Sequence, residues 1–154
     1  MFKKILYAVD IECGCYAALP YIMKLKASGT EEVILVHIYD ERKIDFYWEI
    51  KYEYEQYRGK TVEEVRAEIV KGMLKVTYKK LKEVESKLRT TGFDTKIIVD
   101  TGTPCKKIVE IAKKENVSLL FLEHKKKRGI NVGRTTMTVL DNIECPVFIV
   151  KEKT

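Results

Sequence analysis

Long apolar runs are missing from this 154-residue chain; no stretch approaches the roughly 20 apolar residues that a membrane-spanning helix requires. The opening Met1-Phe2-Lys3-Lys4-Ile5 leads into a strand pattern rather than into an apolar segment with a cleavage site. These absences favour a cytoplasmic protein with no membrane partner. Cysteine is scarce: Cys13, Cys15, Cys105 and Cys145 are unevenly spread, which excludes a disulfide scaffold and leads us to expect thiols in a reducing compartment. Gln56 is the only glutamine, while Lys and Glu abound, a bias weakly reminiscent of heat-adapted chains.

Several sequence patterns of known chemistry are also missing. There is no Gly-x-Gly-x-x-Gly after a strand and no Gly-x4-Gly-Lys-Ser/Thr, which excludes the two commonest phosphate-binding loops. Neither a Gly-x-Ser-x-Gly elbow nor a His-Glu-x-x-His pair occurs, so no hydrolytic constellation is visible and a non-enzymatic role is expected. The formal charge of +6 suits an anionic partner, yet a lysine-rich solvated surface accounts for it as well, and nucleic acid is not the favoured partner.

Five short runs rich in β-branched residues are present: Lys4 to Val9, Glu32 to Tyr39, Lys96 to Val99, Ser118 to Leu122 and Pro146 to Lys151. Three are apolar almost throughout, as strands covered on both faces are. Helical patterns separate them, and this alternation predicts an α/β domain spanning 1–154 with a parallel sheet.

The first helix is expected from about Cys15 to Ser28, closed by Gly29, with Pro20 demanding either a later start or a kink. A long second helix starts at the capping box Thr61-Val62-Glu63-Glu64 and shows an apolar face of Val62, Val65, Ile69, Met73, Val76, Leu81, Val84 and Leu88 before Gly92. Thr103 and Pro104 open a third helix that runs to about Asn116, and a fourth covers Thr136 to Asn142. Between Ile44 and Tyr57 aromatic residues alternate with polar ones, a pattern open to both strand and helix.

The segment after the fourth strand, Glu123-His124-Lys125-Lys126-Lys127-Arg128-Gly129-Ile130-Asn131-Val132-Gly133-Arg134-Thr135-Thr136, carries cations at its start and glycines and hydroxyls at its end, and runs into a helix. Free N–H groups there suit an anion.

Asp10 at the end of the first strand, His37 in the second, Gly102-Thr103-Pro104 before the third helix and Cys145-Pro146-Val147 before the last strand together make the chain resemble a universal stress protein. The resemblance covers nearly the whole length. It implies a three-layer αβα fold of the adenine-nucleotide alpha-hydrolase-like type, with a five-stranded parallel sheet in the order 3-2-1-4-5, and cytoplasmic homodimers. It also implies an ATP site, with Mg²⁺ accompanying the nucleotide, in the crevice beyond the carboxyl ends of strands one and four.

Residue by residue, Asp10 matches the family's strand-one aspartate and Ile38 the apolar contact to adenine, while Gly129, Gly133, Arg134 and Thr135 stand for the phosphate loop. The family's Gly-x2-Gly-x9-Gly-Ser/Thr pattern is altered here. Glu123 and Lys126 occupy the first two glycine positions, Arg134 replaces the hydroxyl residue, and the loop is shorter. Side chains at the early positions are expected to crowd a phosphate path, whereas Arg134 offers a forked grip on phosphate oxygens.

Two other readings stand beside this one. One is a nucleotide-free module that docks an unknown protein partner through the aromatic segment around Trp48. The other is a thiol or metal module in which Cys13, Cys15 and His124 meet at the crevice, although Cys-x-Cys is not the usual structural zinc spacing. His37, between Val36 and Ile38, is read as a hydrogen-bonded interior histidine, Cys105 and Cys145 as small apolar residues, and Asp100 as part of a helix-entry turn rather than a phosphoacceptor. The last strand, Val147-Phe148-Ile149-Val150, is expected at a sheet edge where a twofold-related copy would pair with it.

Overall fold

The computed structural model describes residues 1–45, 59–125 and 134–152. Strands and helices alternate as β1 (Lys4–Ala8), α1 (Leu19–Lys24), β2 (Glu32–Asp40), α2 (Val62–Thr91), β3 (Asp94–Gly102), α3 (Pro104–Lys114), β4 (Leu119–His124), α4 (Arg134–Asn142) and β5 (Val147–Lys151). The five strands form one parallel sheet in the order β3-β2-β1-β4-β5. Chain winding therefore reverses at β1, where Ile5 pairs with Val33 on one side and Leu119 on the other.

Apolar continuity in the strands has a direct cause, because alternate side chains enter two different cores. On one face Ile5, Tyr7, Val33, Leu35, Leu119 and Phe121 pack under α1 and α2, through Leu19, Ile22, Leu81, Val84 and Leu88. On the other face Leu6, Ile34, Val36, Leu120 and Leu122 pack under α3 and α4, through Ile108, Ile111 and Val139. Each fully buried large side chain of this kind contributes about 1.5–3 kcal/mol.

The long helix begins as its capping box requires: the Glu64 N–H donates to Thr61 Oγ1 at 3.2 Å and the Thr61 N–H to Glu64 Oε2 at 3.4 Å. It ends at Gly92, whose φ of +104° a side chain would strain. Its buried face is Val65, Thr77, Leu81, Val84, Glu85 and Leu88. Val76, expected on that face, is instead exposed, and Thr77 is turned inward because Tyr39 reaches it from β2.

Other boundaries differ in explicable ways. Pro20 is accommodated by a late start: α1 begins at Leu19 with the proline in its first turn, and its continuation to Ser28 is a 3₁₀ helix. β3 is longer than its apolar pattern, because it pairs with β2 from Glu32↔Asp94 to Asp40↔Gly102. Backbone pairing, rather than burial, sets its length. Thr103 holds the N-cap position of α3 without a capping bond from its side chain, that helix stops at Lys114, and α4 starts two residues early. A helical turn over 41–45 buries Ile44; the rest of the aromatic segment, Trp48 included, lies outside the described residues.

Candidate functional site

At the carboxyl ends of β1, β2 and β4, where the winding direction reverses, the structure opens a crevice of about 760 Å³. This is where ligands bind in open parallel sheets. Its apolar wall comes from Val36, Ile38, Met73, Val76, Ile108 and Leu122, and its polar rim from Asp10, Glu12, Asp40, Lys43, Glu123 and Lys125. Thr135 and Thr136, in the first turn of α4, also face it. The two ends of the cationic segment that the structure describes therefore border the cleft that Asp10 borders.

Of the residues singled out from sequence, Asp10, Ile38 and Thr135 line this crevice together. Arg134 is the first residue of α4. Gly129 and Gly133 lie outside the described residues.

Asp10 ends β1 and shapes the turn that follows. Its Oδ1 accepts the Cys13 N–H at 3.2 Å and its carbonyl accepts the Gly14 N–H at 3.4 Å. Gly14 takes a φ of +64°, the left-handed conformation in which glycine costs least. That turn brings two cysteines together, and Cys13 and Cys15 are joined as a disulfide across a Cα–Cα distance of 5.3 Å. The expectation that all four cysteines would be thiols is corrected here for this pair, because the reversal at Gly14 puts the sulfurs in bonding range. Cys105 and Cys145 are free and half-buried against the second core, and burial pushes the Cys145 thiol up.

Glu123, expected to crowd a phosphate path, lines the crevice, and its carboxylate bonds the neighbouring strand and helix: Oε1 accepts the Tyr7 hydroxyl at 2.7 Å and the Asp10 N–H at 3.2 Å, and Oε2 accepts the Ala18 N–H at 3.3 Å. Ala18 is the N-cap of α1 and offers no capping side chain of its own, so a carboxylate from β4 does the capping, where the helix dipole favours a negative charge. Burial, and then the Glu123 charge, hold the Tyr7 phenol well above its ordinary range, so it stays a donor. The only sequence signal for this role is an acidic residue ending an otherwise apolar strand.

Around the mouth, Lys43 meets Glu12 at 3.0 Å. Arg42 forks onto Asp40 with contacts of 3.2 and 3.0 Å, and those bonds hold the Asp40 carboxyl below its usual range. His37 is the interior histidine expected: its Nδ1–H donates to the Val9 carbonyl at 3.3 Å, and burial pushes its pKa down. Tyr39, edge-on to His37 with centroids 4.9 Å apart, donates to the Met73 carbonyl at 2.6 Å, and burial pushes its phenol up to about 12. These contacts fix the wall between β2 and α2. Asp100 accepts the Thr101 N–H and meets Lys107 at 3.3 Å, as a turn residue does.

Just past β5 lies a residue that sequence reasoning missed. Glu152 is buried, its N–H donates to the His124 carbonyl at 2.8 Å, and among the described residues no N–H or basic group bonds either carboxyl oxygen. Burial, and then a hydrogen bond with the adjacent Asp10 carboxyl and that group's charge, push it up to about 8. Its carboxyl and the sulfurs of Cys13 and Cys15 lie within 4.8 Å of one another. The metal reading drawn from sequence is thus corrected in one member: among the described residues Glu152, not His124, joins the two cysteines. Within Lys151-Glu152-Lys153-Thr154 an acid reads as tail charge, and nothing local signals its burial.

The model of the universal stress protein family matches residues 1–151. The chain belongs to that family. It is 30% identical to universal stress protein MJ0577 of Methanocaldococcus jannaschii, over 99% of this chain and 97% of the relative. The solved structure of MJ0577 superposes with a TM-score of 0.83 at 30% identity, covering 100% of this chain and 99% of that one. At 14% identity a universal stress protein from Archaeoglobus fulgidus in complex with dAMP shares the fold, with a TM-score of 0.58 over 98% of both chains. A further universal stress protein, in complex with cAMP, does so at 16% identity and a TM-score of 0.58, over 99% of this chain and 98% of that one. Universal stress proteins are stress-response proteins, and the sheet order of this chain is the one the resemblance implied. Among the described residues no helix is long and apolar enough to cross a membrane.

Proposed function

We propose that this universal stress protein is a non-enzymatic regulatory module that binds an adenine nucleotide, ATP with Mg²⁺ in the first instance, in the crevice beyond β1 and β4. The observation that carries the reading is the crevice itself, which combines an apolar wall around Ile38 with polar groups that include Asp10 and the α4 hydroxyls. An adenine ring needs the first, and a ribose and phosphates need the second. Two relatives of the same fold hold dAMP and cAMP, ligands of the same chemical class.

In this reading Ile38 and Val36 contact the base, Asp10 accepts from the ribose hydroxyls, and the phosphates run toward Thr135, Arg134, Gly133 and Gly129. Glu123 supports it by holding the backbone of Asp10 and Ala18 and the Tyr7 hydroxyl at the crevice edge. The module is cytoplasmic and pairs with a second copy through β5, which is at the edge of the sheet and leaves Phe148 and Ile149 exposed. Isothermal calorimetry with ATP, ADP and AMP tests the binding reading. One saturable site is expected, lost in Ile38→Glu and weakened at least about tenfold in Asp10→Ala, by loss of a charge-assisted bond. Heats no larger than dilution for all three nucleotides would reject it.

A further inference from the structure

The buried carboxyl of Glu152 needs a physical account, because among the described residues its one hydrogen-bond partner is another carboxyl, that of Asp10. A buried carboxyl without a basic or N–H donor is costly, and native structures satisfy such groups with a donor, a water or a cation. Two sulfurs share its neighbourhood, with all three ligand atoms within 4.8 Å of one another. Zn–S bonds of about 2.3 Å and Zn–O bonds of 2.0–2.2 Å in a tetrahedron would place such atoms about 3.5–3.8 Å apart. The same three atoms can therefore close on one ion with small side-chain movements.

We infer that, once its Cys13–Cys15 disulfide is reduced, the protein holds a borderline-soft divalent cation such as Zn²⁺ through Cys13 Sγ, Cys15 Sγ and the Glu152 carboxylate. The reductant is a dithiol. Its two S–H groups supply two electrons and two protons and become a disulfide, while the Cys13–Cys15 S–S bond breaks to give two thiols. As the ion binds, each thiol and the protonated Glu152 carboxyl pass a proton to solvent, three protons in all, and bind as two thiolates and one carboxylate.

Two thiolates and one carboxylate select zinc-like ions over Mg²⁺ or Ca²⁺, which require oxygen donors. Three protein ligands leave the fourth tetrahedral position for water. The backbone is already set for this, because Asp10 accepts the N–H of Cys13 and the Gly14 turn faces both cysteines the same way. Glu152 is held in place by its own N–H bond to the His124 carbonyl. The disulfide and the metal site exclude each other, so the same sulfurs report redox state. This inference does not rest on the nucleotide reading.

The test uses the full chain, reduced with dithiothreitol, freed of it anaerobically, and titrated with Co²⁺ as a visible surrogate. One equivalent is expected to produce a thiolate-to-cobalt charge-transfer band in the near ultraviolet, which Zn²⁺ then abolishes. The oxidised protein gives no band, and neither do Cys13→Ser and Cys15→Ser, whereas Cys105→Ser and Cys145→Ser give it in full. Glu152→Gln keeps a band but loses about tenfold or more in affinity, the scale of a lost ligand-sphere contact. No band in the reduced wild type, a band of equal strength in the oxidised wild type, or a band surviving in Cys13→Ser overturns the site, and unchanged affinity in Glu152→Gln removes the carboxylate from it. The wild-type comparison stands even where a variant fails to fold.

Discussion

The two ends of the sheet are built on opposite terms. At the amino end charge meets counter-charge near solvent: Lys4 lies 3.4 Å from Glu115 and 3.9 Å from Glu32, and Lys96 lies 2.8 Å from Glu115. Ser118 donates to the Lys4 carbonyl at 2.9 Å and closes the join of β4 to β1. The lysine bonds, that of Lys96 first, hold the Glu115 carboxyl below its usual range. Apart from the Thr30 hydroxyl, no buried side-chain nitrogen or oxygen there lacks a partner among the described residues. At the carboxyl end Asp10, Glu123 and Glu152 converge, and among the described residues the buried Glu152 carboxyl has only the Asp10 carboxyl to bond. A rim that gathers like charge around a crevice sacrifices stability, and such local conflict is what binding sites show. One end of the sheet is closed by ion pairs, while the other opens on the crevice.

The sharpest way to break that contrast is at Glu123, the residue that makes the carboxyl end tolerable. Glu123→Ala strands the Tyr7 hydroxyl and two backbone N–H groups and is expected to cost about 3 kcal/mol, read from urea unfolding midpoints. A cost below that of a surface ion pair would mean that the three bonds do not hold the rim. Next, Tyr7→Phe keeps the packing of a fully buried ring and removes one charge-assisted bond, for an expected loss of about 1.5 kcal/mol. The matched change at the other end is smaller. Glu115→Gln keeps the shape and cuts one exposed and one part-buried lysine contact, so about 0.5–1 kcal/mol is expected, shrinking in 0.5 M salt; a larger, salt-insensitive loss would erase the distinction between the ends.

The finest test is pH. Burial lowers the His37 pKa in the folded protein, with Glu12, Asp10 and Lys43 as its charged neighbours. As pH falls below the ordinary histidine value of about 6.5, the unfolded chain takes up a proton that the folded chain refuses, and stability drops until folded His37 itself protonates. The difference in unfolding free energy between wild type and His37→Gln should therefore be flat above that value and slope below it. A slope of the opposite sign would place a charged imidazole in the crevice wall.

Much of the fold could be read in the chain because its signals are local and agree with one another. The capping box at Thr61 began a helix where it should, and doubly buried strands declared themselves by apolar continuity. Val76 and Thr77 exchanged places because a tyrosine from β2 reached across to α2, a tertiary contact that periodicity along one helix does not contain. The site was legible in the residues that carry backbone position, Asp10, Ile38 and Thr135, which the sheet brings to one crevice. Glu123 and Glu152 were not legible as they stand. One was read by alignment as an obstacle, yet its orientation is set by partners 105 and 116 residues away. The other is buried because β5 runs parallel to β4 and delivers its end beside Asp10. Cys13 and Cys15 were seen as neighbours of the crevice, and their disulfide required the left-handed turn at Gly14.

The central claim is that the carboxyl end of the sheet, and not the amino end, is where an adenine nucleotide is held. Titration of ¹⁵N-labelled protein with ATP and Mg²⁺, followed by amide chemical shifts, tests it most directly. Saturable shifts at Asp10, Ile38, Thr135 and Thr136, with Lys4, Glu115 and Ser118 unmoved, are the predicted result. Shifts centred on the amino end, or none at any residue at millimolar ATP, would contradict it.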